Sequence, residues 1–243
     1  MHALPRILTA ALAIGLVSCQ PAASTSESVR PSGSEAVEVD GEQLINSFLR
    51  LVKADSFTTR TEMSGVLTAG ALQLAIQASG SLRGGSGTMS MKLNTVSDTV
   101  EFEAIFVGEF AYIREPGGEW QRVFREQVNT SGARLDSFEF LSSGDDLRYD
   151  GITTHDGVEV HVLVNTGPLS LTGGETGQGA SGEATRLRIL VLADATPVFL
   201  SYHMTVTIDD GTGAKVAARG DIEQTFTDVG EPFVIEPPPG FSE

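Results

Sequence analysis

One cysteine, one tryptophan and only 16 basic residues set the first limits on this chain of 243 residues. A lone cysteine has no partner for an intramolecular disulfide, so the fold must hold without that staple. Apart from Ile7 to Val17 there is no long apolar run, and that run is about half of what a helix needs to cross a bilayer. Basic residues are outnumbered by 32 acidic ones, for a formal net charge of −16. So acidic a surface excludes nucleic acid, or adhesion to anionic lipid through a basic patch. No His-x-x-x-His or Cys-His spacing suggests zinc. No Gly-x-Ser-x-Gly turn exposes a nucleophile, and no glycine-rich stretch matches a phosphate-binding loop. There is no internal repeat. These absences predict a protein that is not an enzyme and needs no metal or cofactor.

What is present begins at the N-terminus. Arg6 leads into the apolar stretch Ile7 to Val17, and small residues then precede Cys19. That is the layout of a secretory signal. Leu16-Val17-Ser18-Cys19 resembles the bacterial lipobox, in which the cysteine is lipidated and becomes the first residue of the mature chain. The resemblance implies a signal peptide over 1–18, lipidation of Cys19 with acyl groups such as palmitate, and anchorage to the extracytoplasmic or periplasmic side of the cell membrane. Several acyl chains hold stably, since each buried CH₂ contributes about 0.8 kcal/mol and one chain alone is marginal. From Gln20 to Val37 the chain is Ser, Ala, Pro and Glu with almost no large apolar side chain. Such a segment cannot bury enough surface to offset its ordering entropy and reads as a tether. A single domain over 38–243 follows; its length suffices for a sizeable core.

The first folded element is a helix. Asp40 is a candidate N-cap with Gln43 three residues on, and Leu44, Phe48 and Val52 recur every four residues with Ile45 and Leu49 beside them. The apolar period then changes to two. Leu72, Leu74 and Ile76 alternate with polar or small residues, as do Met89, Met91 and Leu93, then Val100, Phe102, Ala104 and Phe106, and later Val158 to Val164 and Tyr202 to Ile208. Turn chemistry separates them at Gly84-Gly85, Pro116-Gly117-Gly118, Asp156-Gly157 and Asp209-Asp210-Gly211. About ten or eleven strands in succession mean an antiparallel meander. It must curl to hide its apolar face, with the first helix as a plug. Arg134 to Leu147 has helix-like spacing and predicts a short second helix ending at Asp145-Asp146. Gly167 to Gly182 predicts a long loop.

The histidines do not form a catalytic group: His155 adjoins a turn, and His161 and His203 fall on polar-facing strand positions. Asp209-Asp210-Gly211-Thr212-Gly213 lacks the ligand spacing of a calcium loop and reads as a hairpin turn. The apolar inventory is more suggestive. Met63, Met89, Met91 and Met204 recur on strand faces, with Phe102, Phe106 and Phe110. Methionine is flexible and polarizable and suits surfaces that accept varied apolar partners.

Phe226-Thr227-Asp228-Val229-Gly230-Glu231-Pro232-Phe233-Val234-Ile235-Glu236-Pro237-Pro238 resembles the closing segment of the LppX/LprG-type bacterial lipoproteins. Gly108 to Ile113 with Glu119 to Val123, Asp150 to Ile152 with Asp156 to Val160, and Arg186 to Leu192 with Ala195-Thr196-Pro197 resemble successive strand pairs of the same group. Each motif is weak alone; their order along residues 40–239 carries the resemblance. That family is similar to the LolA/LolB lipoprotein carriers. The resemblance implies an α+β, mainly β fold, a half-open antiparallel barrel or curled sheet packed on one to three helices. It also implies an apolar cavity for acyl chains, and lipid or lipoprotein transport in the cell envelope. This chain departs from the group in its Gly-rich 167–182 segment and its acidity.

The expected ligand is a lipid or acylated molecule, bound by a monomer. Expected cavity-lining residues are Leu72, Leu74, Ile76, Met89, Met91, Leu93, Phe102, Phe106 and Tyr112, with Leu44, Phe48 and Val52 of the helix facing them as plug or gate. The alternative is a non-enzymatic envelope module of the same fold that binds a protein or senses stress.

Overall fold

The computed structural model describes residues 39–70, 72–83, 86–94, 99–125, 138, 141, 143–172, 181–209 and 215–241. The expected signal peptide, Cys19 and the tether lie outside the described residues.

Helix α1 runs Gly41–Val52. Asp40 stands in extended backbone, and its carboxylate accepts the N–H groups of Glu42 at 3.0 Å and Gln43 at 3.1 Å. Two amides that the helix leaves without a partner are thereby satisfied. The stripe read from the sequence is buried as Leu44, Ile45, Phe48, Leu49 and Val52. Gly41 has a packing reason: a Cβ there would lie 2.5 Å from that of Tyr149, so only glycine lets the helix start this close to the sheet.

Twelve strands follow: β1 Thr58–Ala69, β2 Leu72–Arg83, β3 Ser86–Asn94, β4 Thr99–Val107, β5 Phe110–Arg114, β6 Gln121–Phe124, β7 Leu147–His155, β8 Val158–Asn165, β9 Leu169–Thr172, β10 Ser181–Val191, β11 Pro197–Asp209 and β12 Lys215–Thr227. All join one antiparallel sheet in the order β6-β5-β4-β3-β2-β1-β12-β11-β10-β8-β7, with β9 branching onto β10. The sheet is curled and unclosed, because β6 and β7 stand at opposite ends of that order. Two meanders meet where β12 pairs with β1, from Arg60 opposite Thr227 to Thr68 opposite Arg219.

Alternation gives the sheet an inner face, which carries α1, and an outer face. On the inner face Phe226, Leu200, Ile189, Leu163 and Leu147 pack with the buried helix residues. Phe138 is stacked on Phe226 at 5.1 Å and meets Phe48 edge-on at 5.2 Å. The outer face carries a smaller apolar layer of Val160, Val162 and Leu190 beside Phe199. The hairpin turn at Asp156-Gly157 has positive φ at both residues, as the twist of a two-residue hairpin demands.

Three expectations change. Leu147 opens strand β7, and Asp145-Asp146 belong to a single 3₁₀ turn (Gly144–Asp146) capped by Ser143. Phe138, Leu141 and Leu147, which gave the helix-like spacing, all reach one core. Residues 134–137, 139–140 and 142 of the expected second helix lie outside the described residues. The Gly-rich segment is not all loop: Leu169–Thr172 pairs with Ser181–Ala184, and Leu169 is buried. Residues 173–180, like the turns at 84–85 and 210–214, lie outside the described residues. His161 is not on a wet face. It is 5% exposed, and its Nδ1 shares a hydrogen bond with the Tyr149 hydroxyl at 3.1 Å. The register irregularity between Tyr149 and Gly151 redirects the strand and brings the two together.

Candidate functional site, the inner apolar face

The strand register decides which expected lining residues share a surface. Met91 lies opposite both Ala78 and Phe102, Met89 opposite Ala104, and Phe106 opposite Ala111. Directly paired residues project to one face. Ala78, Met89, Met91, Ala104, Phe106 and Ala111 therefore form one buried cluster, with Met63, Leu93, Phe102, Ile113 and Val123 packed against it. Met89 is 3% exposed, while Leu93 and Phe102 are half-buried at the margin. Small residues alternate with large ones across the strands, so the thioethers and rings have room beside Ala78, Ala104 and Ala111.

Leu44, Phe48 and Val52 do not face this cluster. They belong to the other one, with β7, β8, β10, β11 and Phe226. Among the strands, the helix lies most closely against β7. The plug expected from the sequence thus seals the opposite half of the sheet. Ile76 is buried on the inner face opposite Gly65 and Leu93, and Leu74 follows it opposite Leu67, half-buried. Leu72 stands opposite Ala69 at the start of β2; its side chain lies outside the described residues.

Tyr112 is a correction. It pairs with Ile105 and Arg122, whereas its neighbours Ala111 and Ile113 belong to the methionine cluster, so its ring points to the outer face. It is 2% exposed there because Phe241 packs edge-on against it at 5.2 Å. The C-terminal segment reaches this point along a defined path. Gly230 N–H donates to the Thr58 carbonyl, Arg83 donates to the Phe233 carbonyl at 2.9 Å, and Pro238 is buried. Beyond Val229, which packs on the helix-side core, residues 230–241 are a strap laid over the outer face from β1 to β5.

Between the two inner clusters lies a buried polar band that hydropathy alone did not single out: Thr59, Thr61 and Gln224. Thr59 donates to the Thr227 carbonyl at 3.1 Å. Thr61 is 3% exposed, and its hydroxyl has no hydrogen-bond partner among the described residues. It sits opposite Phe226 on one side and Gly80 on the other, where the two clusters adjoin. The signal in the sequence was an apolar alternation broken by Thr and Gln at inward positions.

A depression of about 410 Å³ opens on the outer face, bordered by side chains of β1, β2, β3, β11 and β12. None of the expected lining residues borders it. Among the described residues there is no group of three potential metal-ligating side chains, and no helix long and apolar enough to cross a membrane.

No protein-family model matches the chain, and no curated protein matches it. Among solved structures it is similar to a DUF1329 family protein from Desulfovibrio piger, at 11% identity over 77% of this chain and 91% of that one, TM-score 0.30. It is also similar to a LolA superfamily protein from Nitrosomonas europaea, at 11% identity over 79% of this chain and 93% of that one, TM-score 0.32. A third similar structure is an S-type phycobiliprotein lyase from Guillardia theta, at 10% identity over 77% of this chain and 92% of that one, TM-score 0.26.

Proposed function

We propose that this chain is an extracytoplasmic lipoprotein, anchored through Cys19, that carries a lipid or acylated molecule on the inner face of its curled sheet and catalyses no reaction. On this reading it belongs with the LppX/LprG-type group that its sequence resembles. The observation that supports it most is the second inner cluster. Met63, Met89, Met91, Phe102 and Phe106 belong to a largely buried apolar layer to which the helix contributes none of its buried residues. Unbranched thioethers repack around an inserted chain at little cost. The driving force is desolvation, about 0.8 kcal/mol for each CH₂ moved out of water, so an acyl chain passes from bilayer to protein at little net cost. The Thr61 hydroxyl, which has no partner among the described residues, adds a polar contact beside that layer, which suits an ester or hydroxyl at the head of the chain.

The test is native mass spectrometry with solvent extraction, on residues 19–243 carrying Cys19→Ser and expressed in a bacterium. The expected result is a stoichiometric lipid adduct. Phe102→Asp, at the half-buried margin, should abolish it while the protein still folds. Met91 is a poorer probe, because a charge at its 5% exposed position unfolds the core before it reports on binding. A wild-type protein that copurifies empty, and takes up no fluorescent fatty acid, would overturn the carrier reading.

A further inference from the structure

The outer-face depression is built from two cross-strand rows. In one, Glu223 lies opposite Ser64, Ser64 opposite Gln77, and Gln77 opposite Lys92. In the other, Phe199 lies opposite Thr225, Thr225 opposite Glu62, Glu62 opposite Ser79, and Ser79 opposite Ser90. All nine border the depression. Neighbouring strands are about 4.8 Å apart, so each row presents polar groups at a regular step across the strands. Phe199, packed on the outer apolar layer, forms a wall at one end.

The chemistry of the lining narrows the ligand. In the two rows five neutral groups, four hydroxyls and one amide, both donate and accept hydrogen bonds. Glu62 and Glu223 only accept, and they repel phosphate, sulfate and carboxylate groups. Lys92 only donates, and its ammonium is held 2.6 Å from Glu101. Other pairs on this face, Arg114 with Glu103 and Arg60 with Asp228, are closed on themselves outside the depression. The lining thus disfavours anions and offers many groups to a neutral molecule rich in hydroxyls, while a cation drawn by the two carboxylates is the competing ligand that the test below includes. The volume, about 410 Å³, lies within the ordinary range for small-ligand sites. We propose that this groove is a carbohydrate-binding site, which takes a neutral oligosaccharide lying across strands β3, β2, β1 and β12 with its end against Phe199.

Met63, Ala78 and Gln224 of the inner face also border the depression, but the variants below change only its two outward rows, so the sugar site is tested separately from the lipid reading. Isothermal titration calorimetry of the full chain against chitotetraose, maltotetraose and spermidine tests it. The expected result is saturable heat with at least one of the two sugars and none with spermidine. Ser79→Leu, which fills the groove, and Glu62→Gln, which removes a charged acceptor, should each weaken sugar binding about tenfold or more. Circular dichroism checks that both variants keep the wild-type fold, and Thr225→Val replaces either that does not. No saturable heat with either sugar, wild-type binding in the folded variants, or binding of spermidine alone would overturn the assignment.

Discussion

Tyr202 shows what burial does to a single group. It lies on the inner face opposite Ile222, and burial pushes its hydroxyl up to about 12. An unfolded tyrosine ionises near pH 10. Between about pH 10 and 12 the folded state therefore keeps a proton that the unfolded state loses. Its contribution to stability is full below about pH 10 and declines as pH rises through the folded value. The thermal midpoint should fall across that window. Tyr202→Phe, with no proton to lose, should flatten the fall by on the order of 2 kcal/mol at pH 12. Melts from pH 8 to 12 check this, and an identical profile in the variant would assign the titration to other groups. Tyr149 is raised in the same direction, by burial first and then by the Glu159 carboxylate, and its hydroxyl stays available to His161.

At the scale of elements, the meeting of β1 and β12 shapes the sheet. Gly65 lies opposite Ile222, and Leu67 opposite Gly220. A Cβ at Gly220 would run into the carbonyl oxygen of Val66, a backbone atom that cannot step aside. Gly220→Ala should therefore destabilise the protein by about 1–3 kcal/mol, the usual cost of forcing atoms into a packed site. Urea unfolding measures it. A midpoint equal to wild type would mean that the strands are not held so close. The alternation of Ala218, Ile222, Gln224 and Phe226 marks β12 as half-buried in the sequence. Which strand lies against it was not marked, because the partner β1 begins 157 positions earlier, as Thr58 and Lys215 open the two strands.

For the whole molecule, the strap ties the last residues to a strand in the first half of the sheet. A chain ending after Gly230 loses the Arg83 contact to Phe233 and the ring of Phe241 over Tyr112. Backbone amides of β5 should then exchange faster with solvent, while those of α1 and β10 stay protected, since their core contains no strap residue beyond Val229. Hydrogen exchange read by mass spectrometry distinguishes the two regions, and uniform protection would remove the strap from the stability of β5. The closing motif from Phe226 to Pro238 was legible as a motif. Its course over the outer face was not, because Tyr112 and Phe241 are joined only by the fold.

The sequence by itself determined the elements that local physics controls. The cap at Asp40, the four-residue stripe of α1, the two-residue alternation of the strands and the Asp156-Gly157 turn each follow from propensities within a few residues. It also determined that the long meander curls and that α1 supplies a buried stripe. Only the tertiary structure decided what that stripe covers, and that Leu44, Phe48 and Val52 share no cluster with Met89, Met91 and Phe102. It alone turned Tyr112 outward beneath Phe241, buried His161 against Tyr149 and paired the ends of the Gly-rich segment. The physical reason is one of range. Alternation specifies that a strand has an apolar face, but both faces of this sheet carry apolar clusters, and strand order and register choose between them.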